Sequence, residues 1–211
     1  MSAVTAISLV LLLVGLGILG WAGWQYFGTN VTSRQEAKQA STSLEQRWAS
    51  EKKSDPKAVA VPTGLGDGMA LMRIPDLGSD WQYPVLAGTT TDVLAKGIGW
   101  YTTTGKPGEV GNFAVAGHRV THGEPFRRLL ELKKGAKVIV ETRDAVFTYE
   151  LDDAANKLTV ADTDVWVLDP VPGKPAQQPT QALITLTTCQ DLFRSPDRSV
   201  AFGHLVETKK K

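Results

Sequence analysis

Residues 182–189 read ALITLTTC, an apolar, β-branched run that alternates through Ile184 and Leu186 and ends on the chain's one cysteine. It follows a proline-rich loop, DPVPGKPAQQP (169–179). A run of this length, composition and bounding reads as a strand. Working outward, SVAFGHLVE (199–207), AVFTYEL (145–151), AKVIVET (136–142), NFAVAGHR (112–119), YPVLAG (83–88) and MALMRIP (69–75) share the same character and are bounded by Gly, Pro, Asp or Asn. Helical periodicity is confined to short pieces, TDVLAKG (91–97) and PFRRLLEL (125–132). The fold class is therefore mainly β. So many short strands with few helices predict a closed or nearly closed barrel, because closure removes exposed sheet edges.

The 211 residues carry 23 Lys and Arg against 22 Asp and Glu, so the net charge is +1 and nothing in it points to a nucleic-acid partner. All of these charges lie beyond residue 33. The chain is thus two objects joined end to end. One cysteine excludes a disulfide framework and any multi-cysteine zinc or iron–sulfur site, and three His residues leave little room for a His-based metal site. No cofactor is expected.

From Ala3 to Phe27 the chain is uncharged and apolar, AVTAISLVLLLVGLGILGWAGWQYF, long enough to cross a ~30 Å hydrocarbon core. Trp21, Trp24 and Tyr26 gather at its C-terminal end, as aromatic rings do at a membrane interface. A cleaved signal peptide is the rival, but the run exceeds a typical 7–15-residue apolar region and no Lys or Arg precedes it. Residues 1–30 are read as a transmembrane anchor, 31–66 as a juxtamembrane helix and linker, and 67–208 as the catalytic domain. Within the second, Ser33-Arg34-Gln35-Glu36 has the form of a capping box, and Ala37, Ala40, Leu44 and Trp48 recur at helical spacing. That helix is expected to end near Lys53, with VAVPTGLGDG (59–68) as linker; its mixed charges suggest a solvated stalk. Arg34 and Lys38 after the span would by themselves place the domain in the cytoplasm. That tendency weakens before a long domain, and the chemistry argued below belongs outside the cell.

Reactive side chains at strand ends are held by a rigid sheet. Cys189 ends ALITLTTC, His118 ends NFAVAGH, and Arg198 lies nine residues after the cysteine, at the start of the last strand. Singly, each has a plain structural explanation: a buried thiol, a satisfied imidazole, a surface cation. An unpaired thiol in an extracytoplasmic domain is a hazard unless it is used or well buried, and this favours function.

GNFAVAGHR (111–119), THGEPF (121–126), TLTTC (185–189) and the Arg at 198 together resemble the sortase signature, most of all that of the class E sortases of actinobacteria. The resemblance covers residues 69–207 and the anchor. It implies an eight-stranded barrel and a metal-independent cysteine transpeptidase of the Gram-positive cell surface. Such enzymes cut a Leu-Pro-x-Thr-Gly signal, or Leu-Ala-x-Thr-Gly in class E, between Thr and Gly and pass the acyl group to a cell-wall precursor amine. The partners implied are a surface or pilin protein bearing that signal, a lipid-linked amine acceptor and the membrane, with a single-pass topology. Carried over by position, Cys189 is the nucleophile, His118 the acid and base, and Arg198 the oxyanion partner. Tyr101, Thr187 and Thr188 are expected at the signal groove. His122 and His204 are expected to be structural or exposed. Arg119 alternates to the face opposite His118 if its strand continues. The absence of an Asp-Pro-aromatic lid and of a second C-terminal span disfavours a pilin-polymerising class C enzyme.

Two other functions stay open. An L,D-transpeptidase is also a β-rich cell-wall cysteine enzyme, and His122-Gly123 has its His-Gly form; TLTTCQDLF, however, lacks the Gly before and the Arg two residues after the cysteine that its motif requires. A membrane-tethered binding module with vestigial reactive residues is the other.

Overall fold

The computed structural model describes residues 2–24, 28–54, 62, 64–189 and 196–211. Tyr26, the first part of the expected linker and the QDLF segment after Cys189 lie outside the described residues.

Two helices lead the chain, α1 (Ala3–Gly23) and α2 (Thr29–Ser54). Ser2 caps α1, its hydroxyl accepting from the Thr5 N–H at 3.2 Å. Twenty-one apolar residues at 1.5 Å each reach about 32 Å, and none is buried against the rest of the protein. Among the described residues α1 is the one helix long and apolar enough to cross a membrane.

The strands are β1 (Gly68–Arg73), β2 (Gln82–Ala87), β3 (Ile98–Trp100), β4 (Gly111–Ala116), β5 (Lys137–Glu141), β6 (Ala145–Leu151), β7 (Leu158–Ala161), β8 (Ala182–Cys189) and β9 (Asp197–Lys210). Their order is β6-β5-β1-β2-β3-β4-β8-β9, and β9 pairs back onto β6 to close an eight-stranded barrel. The short β7 lies against the first turn of β9, outside the ring. Pairing is parallel for β2/β3 and β4/β8 and antiparallel elsewhere.

The seven expected strands are all present. β3 and β7 escaped the sequence reading because each is too short to carry a pattern. β3 also contains Gly99, where a Cβ would lie 2.4 Å from the Gly88 carbonyl oxygen. β4 ends at Ala116, three residues short of Arg119, the last residue of its sequence run. A Cβ on Gly117 would sit 2.6 Å from the Phe126 ring, and the Phe126 N–H donates to the His118 carbonyl at 2.9 Å. The chain therefore turns out of the sheet at His118, and the alternation expected for Arg119 does not apply.

The barrel interior is filled by side chains such as Met72, Phe113, Phe126, Val140, Ile184 and Leu186. At ~1.5–3 kcal/mol for each large apolar side chain buried, this is the main stabilising term of the fold. A smaller cluster of Val160, Val167 and Val200 lies on the outside, under β7 and the 3-10 turn Val165–Leu168.

α2 differs from the expected stalk in two ways. Ser33 is buried inside the helix, which begins at Thr29, so Ser33-Arg34-Gln35-Glu36 does not cap it. Nor is the helix solvated on all sides. Ser33, Ala37, Ser41, Leu44 and Trp48 form a buried stripe at spacings of three and four, and Leu44 and Trp48 pack on Leu71 of β1. Arg47 donates to the Gly68 carbonyl, and Lys211 of the last strand lies 5.0 Å from the Trp48 ring centroid. Apolar area outside the barrel wall gave the stripe a partner, and burial outweighed solvation.

Candidate active site

β8 has two faces of different use. Ile184 and Leu186 point into the barrel, while Thr185, Thr187 and Cys189 alternate to the outer face. That outer face is covered by a satisfied polar network. Thr185 donates to the Asn112 side-chain oxygen at 2.7 Å, and the Asn112 amide donates to the Val167 and Asp169 carbonyls, both at 3.0 Å. The network fixes the 165–169 turn as an outer wall. Buried polar groups that all find partners confer rigidity rather than a desolvation penalty.

Register then brings the three reactive side chains to one end of the barrel. Cys189 stands directly opposite Arg198 in the antiparallel β8/β9 pair. Ala116 stands beside Thr187 in the parallel β4/β8 pair, and the Gly117 N–H extends that ladder to the Thr187 carbonyl at 3.1 Å. His118 lies two residues past Ala116, where β4 has ended and the chain turns out of the sheet, so it sits at the same end of the barrel as Cys189, beyond the paired ladder. Two hydroxyls staple this seam: Thr187 donates to the Val115 carbonyl at 3.1 Å and Thr188 to the Gly117 carbonyl at 2.8 Å.

The state of each group differs. Cys189 is half-buried and unpaired. Arg198 is one-third exposed, its guanidinium 3.8 Å from the Asp162 carboxylate. The His118 Nε2 is buried and has no hydrogen-bond partner among the described residues. Such an atom costs about 1–3 kcal/mol unless something else completes it. Burial, reinforced by the neighbouring His122, pushes the His118 imidazole down to about 4. At neutral pH it is therefore uncharged.

A groove of about 240 Å³ opens beside Arg198, lined by Tyr101, Val160, Val167, Leu168, Thr187 and Arg198; neither Cys189 nor His118 lines it. It is smaller than the ~300–1,000 Å³ of sites that engulf a small molecule, and suits side chains of an extended peptide lying across it. The Thr187 hydroxyl gives its proton to Val115, so the Tyr101 hydroxyl, 3.3 Å away, is the donor to Thr187. Thr188 is buried in the seam and does not line the groove. A larger cavity of about 810 Å³ lies between α2 and residues 77–83, and none of Cys189, His118 or Arg198 touches it.

Residues 72–206 match the sortase domain family model, more than half of the chain. The chain belongs to the sortase family. Sortase SrtE1 of Streptomyces coelicolor is 36% identical over 97% of this chain, which spans 57% of that relative's length. The structure of sortase E from Streptomyces avermitilis is 41% identical, covering 70% of this chain and 93% of its own, with a TM-score of 0.62. Sortase E1 from S. coelicolor, solved with a tripeptide in its active site, is 34% identical with a TM-score of 0.60, covering 69% of this chain and 91% of its own. The resemblance to class E sortases and the closed barrel both stand, and the L,D-transpeptidase alternative falls with them.

One side chain that the sequence reading expected to be structural or exposed lies against His118. His122 is not merely exposed: its ring stacks on His118 with centroids 4.8 Å apart, and its Nδ1 lies 2.9 Å from the Thr121 hydroxyl. His122 and Glu124 have φ of 55° and 53°, with Gly123 between them at 81°. Left-handed backbone at a residue with a side chain costs about 1–2 kcal/mol, so this turn is held by its surroundings. The signal in sequence is only the short THGEPF string. His204, by contrast, pairs with Asp152 at 2.6 Å, distant from the trio along β9, as expected of a structural histidine.

The lowered His118 value sets a pH expectation. Between about 6.5 and 4 the unfolded chain takes up a proton at this imidazole that the folded chain does not, so His118 lowers stability as pH falls through that window, with no penalty above it. For the folded sortase, the acid limb of any His118-dependent rate is expected below the ordinary imidazole range, toward 4. His122→Ala removes the second of the two causes and is expected to move that limb upward. A pH–rate profile of both proteins checks this, and coincident limbs would show that the stacked ring has no electrostatic effect.

Proposed function

We propose that this chain is a membrane-anchored sortase transpeptidase that cleaves a Leu-Ala-x-Thr-Gly or Leu-Pro-x-Thr-Gly signal between Thr and Gly and transfers the acyl group to a cell-wall precursor amine. The observation that carries the reading is the β8/β9 register, in which Cys189 faces Arg198, with His118 just past the end of the β4/β8 ladder at the same end of the barrel. In this mechanism the Cys189 thiol gives its proton to His118 and the sulfur attacks the Thr carbonyl. Arg198, which never loses its proton, offsets the charge on the tetrahedral oxygen. The imidazolium of a base held well below its usual range is a strong acid, and it protonates the departing Gly amine as the C–N bond breaks. The thioester left on Cys189 is then attacked by the acceptor amine, whose proton passes to His118, and the thiol is regenerated.

Tyr101 and Thr187 are proposed to contact the signal, because both line the groove and are hydrogen-bonded to one another there. Thr188 is proposed to act by holding Gly117. Residues 1–30 are proposed as the anchor, supported by the length and exposure of α1, with residues 67–208 as the extracytoplasmic catalytic domain.

The full chain in detergent micelles is expected to form a covalent adduct on Cys189 with at least one of the two peptides, and to join its acyl part to a glycine-type amine. Mass spectrometry reads both products. A folded chain that forms no adduct with either peptide would refute the transpeptidase reading in favour of a binding module.

A further inference from the structure

The turn that follows His118 is held from outside the barrel. Asn30, in the first turn of α2, accepts from the Gly123 N–H at 2.9 Å and donates to the Glu124 carboxylate at 2.8 Å and the Val120 carbonyl at 3.4 Å. One turn on, Arg34 donates to the Gly123 carbonyl at 3.4 Å and lies 3.6 Å from Glu124. The same Gly123 carbonyl accepts from the Tyr83 hydroxyl at 3.0 Å. Gly123 could carry no larger residue without backbone strain, since its φ is 81°; a Cβ there would only be in ordinary contact with the Ser33 side chain, at 3.5 Å. The left-handed segment from His122 to Glu124 is thus clamped on α2 through one side-chain amide that satisfies both its backbone donor and its buried acid.

We propose that Asn30 is a positioning residue for the reaction: by holding the 120–124 turn it keeps His122 stacked on His118, so that the juxtamembrane helix is a working part of the active site. Six chain steps separate Trp24 from Asn30, a reach of at most about 22 Å even if fully extended. The clamp therefore keeps Gly123, five residues after His118, within about 25 Å of Trp24. If α1 is the membrane anchor, the imidazole operates close to the bilayer surface, within reach of a lipid-linked acceptor. The effect on turnover rests on the proposed transpeptidase activity; the effect on His118 does not.

The test uses the full chain in micelles with isotope-labelled histidine. The chain has three His residues, assignable with His122→Ala and His204→Ala. Asn30→Ala is expected to lower kcat by roughly tenfold or more with KM held within about twofold, as a small misplacement of a reacting group does. It is also expected to abolish the ring contact between His118 and His122 and to raise the His118 titration toward the ordinary imidazole value. Asn30→Asp alone places two carboxylates together and is expected to be as poor. Combined with Glu124→Gln, it exchanges donor and acceptor across the same pair and is expected to restore much of kcat and the titration. An unchanged kcat, or a loss of kcat and melting temperature with the His118 titration unmoved, would overturn the proposal, as would a folded double variant without rescue. If the parent chain turns over neither peptide, the transpeptidase reading falls and the titration alone decides: a shift in Asn30→Ala supports positioning, and no shift refutes it.

Discussion

Cys189→Ala is expected to abolish adduct formation and transpeptidation while leaving the barrel intact. The chain contains no other thiol, so no side chain can substitute as a sulfur nucleophile. The residue is half-buried at the end of β8, opposite Arg198, and its side chain is not part of the barrel interior. Removing one heavy atom there leaves at most a small gap, worth about 1 kcal/mol or less. For a domain of this size that corresponds to a shift of about 2–4 °C in melting temperature. Mass spectrometry after incubation with both peptides, together with a thermal melt, reads the two halves separately. Residual turnover at the parent rate would move the nucleophile elsewhere, and a collapse of the melt would mean that the thiol is structural.

His118→Ala is expected to lower kcat/KM by about 10²–10⁴, the usual contribution of a positioned acid–base group. The side chain acts twice in the proposed cycle, on the Gly amine that leaves and on the amine that arrives. Loss should therefore appear in both adduct formation and its resolution. A variant defective in one half-reaction alone would show that another group serves the other half. The His118 Nε2 makes no hydrogen bond among the described residues, so removing it leaves no partner of that atom unpaired. Stability near neutral pH is expected to change little, and to rise relative to the parent as pH falls below about 6.5, because the parent alone carries an imidazole that resists protonation when folded. Activity within a few-fold of the parent would remove His118 from the mechanism.

The seven strand runs and the separation of an anchor from a domain were legible in the sequence, because alternation and hydrophobic length are local properties of a few adjacent residues. Cys189, His118 and Arg198 stood out at or beside strand ends, where motif spacing carries the resemblance; their catalytic roles belong to the proposed function. β3 and β7 were not legible: three or four residues around a glycine or between charges hold no period. The end of β4 was also missed, since it depends on the ring of Phe126, nine residues beyond Gly117, occupying the space a side chain would need.

Composition and pattern by themselves determined that this protein is a β-barrel with a terminal apolar helix, and singled out the residues on which the proposed chemistry rests. Tertiary structure alone decided how those parts meet. Closure of β9 on β6 and the outer wall at 165–169 come from pairings between distant strands. The docking of α2 on β1 and the clamp of Asn30 on Gly123, which lie 93 positions apart, are likewise tertiary. His122 gains its place beside His118 only through that turn. Local sequence sets which conformations a segment can adopt at low cost; which of them it keeps is set by what the rest of the chain buries against it.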